Sequence, residues 1–175
     1  LLRPPVIFLA SGLLVFAGGS SGGYGGEYNG FEIGVSSRHF ALNIDDKRVL
    51  LRYHPIALES VNVSGSFEGL VGVGAVSLVS DSSENFSLST YFVSSVFEDV
   101  GKVSLTGFSN FDHGTGLDVV SCSDASEGMV VVIFEESDEE RVIIEGFCVR
   151  VLGSSDNVGV FLGHRVIYGL LGVMD

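Results

Sequence analysis

The sequence holds no tryptophan and no glutamine, and only three prolines, two cysteines and two lysines (Lys47 and Lys102) among its 175 residues. The shortage of bases has the widest consequence. Asp plus Glu total 22, ordinary for this length, while Lys plus Arg total 9, so the formal net charge of −13 comes from missing bases rather than surplus acids. Such a chain offers no basic patch for a phosphate backbone, which argues against nucleic-acid binding. Anionic membrane surfaces are poor partners for the same reason. No apolar run reaches the ~20 residues that a membrane-spanning helix requires, so no integral span is expected. Two cysteines cannot by themselves close a four-ligand zinc site. The missing tryptophan removes the largest aromatic platform for a sugar ring and leaves Tyr24, Tyr28, Tyr53, Tyr91 and Tyr168 for that role.

What is present is a chain 46% hydrophobic, with 24 glycines and 13 phenylalanines. That composition is far from disordered, and the length suits one domain with a sizeable core. Net negative charge keeps so apolar a chain soluble. Residues 1–17 stand apart. Arg3 precedes a short apolar run over residues 6–17 that ends in Val15-Phe16-Ala17, the pattern of a secretory signal peptide cleaved before Gly18. The other readings are a lipid-embedded anchor and an apolar segment kept as a strand and paired with the sheet or a neighbouring subunit. Residues 18–30 read as a Gly/Ser-rich linker, and residues 31–175 as a single β-sandwich domain. The stretch 18–22 matches Gly-x-Ser-x-Gly but lacks the strand and helix that a nucleophile elbow needs.

The segment 129–152 organises the remainder. Two β-branched, apolar runs flank a charged link in which residues 135–140 carry five carboxylates in six positions. The pattern predicts an antiparallel hairpin in the middle of the core, burying Ile133, Phe134, Ile144 and Phe147. Phe31, Ile33 and Val35 alternate, as do Phe40, Leu42 and Ile44, with a change of phase at Ser36-Ser37 that predicts a bulge or break. Pro55 predicts an edge or strand start near Ile56. Residues 70–79 read as a Gly-rich strand and 117–122 as a short one. Phe86, Leu88, Phe92 and Val96 read as one face of a half-buried strand. Residues 158–173 read as a long final strand that bends or breaks near Gly163-His164. No amphipathic helix stands out. The fold class expected is all-β, a β-sandwich or jelly-roll-like pair of antiparallel sheets with roughly nine to ten strands.

Candidate sites are few. Cys122 and Cys148 are a disulfide candidate if the chain is exported. In a simple meander their strands would lie ~9–10 Å apart, too far for the ~4.4–6.8 Å that a disulfide spans. Pairing therefore requires facing sheets or a Greek-key neighbour, and two buried thiols are the other reading. Asn110, Asp112 and Asp118 place oxygens around a Gly-rich loop and are Ca²⁺ candidates. An ordinary Asx-type loop accounts for the same residues. The acidic run 135–140 reads as a solvated tip that discourages edge pairing. His39, His54, His113 and His164 form no metal-binding pair. Asn62 and Asn85 each head an N-glycosylation triplet.

With no catalytic motif, and with an export-type N-terminus, the sequence points to a non-enzymatic extracellular or cell-surface protein. Its expected role is structural or adhesive, self-assembling through strand edges or joining other surface proteins. The alternatives are a secreted ligand-binding module of carbohydrate type assisted by calcium, a hydrolase of unknown type, and a viral coat-type jelly roll. No cofactor is expected apart from Ca²⁺ at the Asn110 loop.

Overall fold

The computed structural model describes residues 23–80, 86–109 and 119–175. The expectation of a signal peptide over residues 1–17 lies outside the described residues. Among the described residues the chain is β-rich, with one sheet of four strands and one of six. The first is an antiparallel meander of β1 (Gly23–Tyr28), β2 (Phe31–Ser36), β3 (His39–Ile44) and β4 (Lys47–Leu51). Asn29 and Gly30 both have positive φ, the two-residue hairpin geometry that matches strand twist. The phase change at Ser36-Ser37 is the turn between β2 and β3, where Ser37 also has positive φ. Ile33, Leu42 and Val49 are paired across three strands and point inward with no exposure.

The second sheet contains β5 (Asn62–Ser64), β6 (Ala75–Ser80), β7 (Val103–Phe108), β8 (Met129–Glu136), β9 (Arg141–Glu145) and β10 (Cys148–Gly153). Its order is β5-β9-β10-β8-β6-β7, and it is mixed. β7, β6, β8 and β10 run parallel, while β9 is antiparallel to β10 and parallel to β5. The expected hairpin is therefore not formed by its two long runs. β8 and β9 do not pair; β10 inserts between them, parallel to β8. The reason lies in side-chain character. β8 and β10 are apolar on both faces, as buried parallel strands are, whereas β9 carries half-buried Ile143 and Ile144 and exposed Glu145. β10 and β8 take the two central positions of the sheet. Ile133 and Phe134 are buried as expected, while Ile144 and Phe147 are half-buried.

Two segments expected as strands are helices. Residues 87–99 form α2 (Ser87–Asp99), which buries Ser89, Val93, Val96 and Phe97. The alternation of Phe86, Leu88, Phe92 and Val96 concealed this spacing of three and four, and Leu88 is in fact exposed. The C-terminal run forms α3 (Asp156–Leu170), capped by Ser155, whose side chain accepts from the Val158 N–H. Every residue from Leu162 to Leu170 is buried. A helix apolar all round is a buried helix, which is why this run imitated a strand covered on both faces. α3 packs on β9 and β10 on one side, and its Tyr168 and His164 bond to the chain just after β4 on the other. One continuous core joins both sheets and both helices.

Pro55 is the first residue of a one-turn helix, α1 (Pro55–Leu58), with His54 as its cap, rather than the start of a strand. Within residues 70–79 the strand begins only at Ala75, after a 3₁₀ turn at Glu68–Leu70 and a positive φ at Gly72. Residues 119–122 are not a strand either. Val119 makes one isolated bridge to Phe108, and Cys122–Asp124 is a 3₁₀ turn.

Candidate functional site

In a sheet with parallel strands, ligand sites form outside the carboxyl ends of those strands, where neighbouring connections leave in opposite directions. Here the ends of β6, β8 and β10 bring Ser80, the acidic link 135–140 and the start of α3 to one rim. β6 leads through α2 to β7, whereas β8 leads the other way to β9.

The polar groups at this rim are largely occupied by one another. Glu135 is half-buried, and its Oε2 accepts from Arg150 Nη2 at 2.6 Å and from Nε at 3.0 Å. That carboxylate is the main cause holding the Arg150 guanidinium above its ordinary pKa. Glu140 accepts from the Ser154 hydroxyl, and Glu139 pairs with Arg141 at 2.8 Å. Asp156 accepts from the backbone N–H of Leu88 and Ser89, at 3.0 and 2.8 Å, and from the buried Ser89 hydroxyl at 2.5 Å. A carboxylate at the N-terminus of α2 satisfies amides that have no partner within the helix and complements its dipole. Asp156 thus fastens the starts of α2 and α3 together. No local pattern marks Asp156, because its partners Ser89 and Leu88 are 67 and 68 residues away in the chain.

His164 was singled out from sequence and is fully buried. Its Nε2 accepts the Arg52 backbone N–H at 3.0 Å, so the proton of the neutral ring resides on Nδ1, which donates to the Val160 carbonyl at 2.7 Å. Phe92 stacks on the ring at 4.4 Å between centroids, and Tyr53 meets it edge-on at 4.8 Å. Burial pushes the pKa down to about 4. Both nitrogens are engaged, so this histidine braces the core and has no free nitrogen for acid–base work. His54 caps α1 through Nδ1, with its pKa lowered by burial. His39 is exposed on β3, and His113 lies outside the described residues.

Cys122 and Cys148 are joined in a disulfide with their Cα atoms 5.2 Å apart. The distance expected for a meander does not apply. Cys122 lies on a turn laid over the face of the sheet opposite α2 and α3, above Cys148 in β10. Asn62 is exposed on β5. Asn85, Asn110, Asp112 and Asp118 lie outside the described residues. Among the described residues, no three His, Cys, Asp or Glu side chains cluster as metal ligands. No helix among them is long and apolar enough to cross a membrane.

One small cleft of about 270 Å³ is lined by Phe67, Glu68, Val71, Gly172, Met174 and Asp175. Next to it the buried Arg165 guanidinium lies 5.2 Å from the Phe67 ring centre and donates to the Asp175 carbonyl. Burial lowers its pKa.

Comparison with protein-family models, with curated proteins and with solved structures returns no match.

Proposed function

We propose that the protein is a non-enzymatic structural domain of the extracellular space or cell surface that self-associates along the edge of β7. The observation that carries this reading is the state of that edge. Among the described residues β7 pairs along its length with β6, its outer edge is bridged only at its end, Phe108 to Val119, and Val103 and Leu105 are 57% and 50% exposed. An exposed apolar edge strand is a template for adding another strand. Two further observations support it. A disulfide suits an oxidising compartment. Among the described residues, His164, Asp156 and Glu135 are each engaged in internal bonds.

Light scattering over a concentration series tests the reading. Wild-type mass should rise with concentration, and Leu105→Lys, which places a charge on the edge, should hold the chain monomeric without loss of helix or sheet signal. A wild-type chain that stays monomeric at its solubility limit would reject self-association.

A second reading is a carbohydrate-binding module with the rim of parallel strand ends as its site. Titration with oligosaccharides followed by melting temperature distinguishes it, since a ligand that binds the folded state raises that temperature.

A further inference from the structure

Residues 119–128 cross the face of the second sheet opposite the helices. Beneath them lies a small apolar cluster separate from the main core, made of Val79, Val131, Ile133 and Cys148, with Val120, Ala125 and Met129 packed on it. This strap is lightly held. Its backbone bond outward is from the Val120 N–H to the Phe108 carbonyl at 2.9 Å. Ser126 also exchanges two backbone bonds with Met129, the first residue of β8, at the strap's C-terminal end, while the bonds of Ser121 with Ser123 and Asp124 are internal. The strongest tie is the Cys122–Cys148 disulfide. Its two ends differ sharply. Cys122 is exposed on the 3₁₀ turn, while Cys148 is 3% exposed in the middle of β10.

We infer that this disulfide is a redox latch: reduction at the exposed Cys122 releases residues 119–128 and uncovers the Val79–Val131–Ile133 face without unfolding the domain. The reductant is a dithiol. One of its thiolates attacks Cys122 Sγ, forming a mixed disulfide, and the electron pair of the broken S–S bond leaves on Cys148 Sγ, which takes up a proton. The second thiol of the reductant then attacks its own sulfur in the mixed disulfide. That step releases Cys122 as a thiolate, which is protonated, and the reductant departs as a disulfide. Two electrons pass from dithiol to cystine.

The nucleophile must reach a sulfur, and the exposed half-cystine is Cys122 on the strap, while Cys148 is buried in the sheet. A Cys148 thiolate is costly under the apolar cover, so that sulfur takes up its proton as it leaves. Opening stays local because β8 and β10 are each paired on both sides and remain so. The inference stands independently of self-association at β7.

The test is hydrogen exchange with peptide resolution on the full-length chain, before and after dithiothreitol under native conditions, with intact mass reporting reduction. The expected result is loss of protection confined to residues 119–128, with β8, β10, α2 and α3 unchanged, and the same local loss in Cys122→Ser without reductant. Three results would overturn the inference. The disulfide could resist reduction in the folded chain. The strap could stay protected once both thiols are free. Or reduction, or Cys122→Ser, could unfold the whole domain, which would make the bond a global staple.

Discussion

His164 and Arg52, one hundred and twelve residues apart, are joined by a hydrogen bond in which the Arg52 backbone N–H donates to the imidazole Nε2 at 3.0 Å. That bond links α3 to the chain leaving β4 and requires a neutral ring. Its dependence on pH follows from the direction of the shift. The folded-state pKa, about 4, lies below the ordinary 6.5. Above 6.5 the ring is neutral in both states and the stability is fully present. As pH falls from 6.5 to 4, the unfolded chain takes up a proton that the folded chain refuses, so stability is lost across that window. The loss from this group is on the order of 3 kcal/mol by linkage. Denaturant unfolding of wild type and His164→Gln across this window checks it. The variant should lack that component of the slope, and parallel slopes would show that His164 does not titrate as described.

Asp156 makes a second long-range tie. Asp156→Ala would leave the Leu88 and Ser89 amides without their acceptor and the buried Ser89 hydroxyl with the residue 156 backbone carbonyl at 3.0 Å. The expected cost is about 2 kcal/mol, between the loss of a helix cap and the burial of unpaired donors. Urea unfolding reads it, with Asp156→Asn, which keeps one acceptor oxygen, falling between. A change under ~0.5 kcal/mol, the range of ordinary surface substitutions, would show that the tie adds nothing.

Glycine at position 159 has a packing reason. A Cβ there would lie 2.5 Å from Ser89 Oγ and 2.7 Å from the Phe86 ring, and at Gly163 it would lie 2.9 Å from Val93. These two glycines, four apart on α3, let α2 come close. Gly159→Ala gains helix propensity of about 1 kcal/mol, yet the clash should outweigh it and leave the protein ~1–3 kcal/mol less stable. A more stable variant in thermal unfolding would mean that α2 and α3 do not meet at this point.

The parts of the fold that were legible were those where local pattern and tertiary setting agree. The β2 and β3 alternations read correctly because that sheet has one buried face, and the phase change at Ser36-Ser37 marked a real turn. The runs 129–134 and 148–152 were rightly placed in the core, but their pairing was not legible. Which strands neighbour one another depends on where β10 inserts, and no local signal encodes that. α3 was misread because a helix buried on every side loses its polar stripe and with it the 3.6-residue period; the usable signals were Ser155-Asp156 at its start and Gly172 at its end. α2 was misread because its serines are poor helix formers and one of them, Ser89, faces inward. The site was less legible still. Asp156, Glu135 and Arg150 look like ordinary surface charges until the fold brings their partners to them.

The proposal that β7 is an assembly edge is tested most directly at its backbone. Val103 and Ser109 donate to Gly74 and Ser80 on the β6 side, so by strand alternation the Ser104 and Thr106 amides face away from the sheet. Hydrogen exchange of these two amides, measured at low and at high protein concentration, should slow as concentration rises in the wild type and stay fast in Leu105→Lys. Exchange at Ser104 and Thr106 that is equally fast at both concentrations would contradict assembly through this strand.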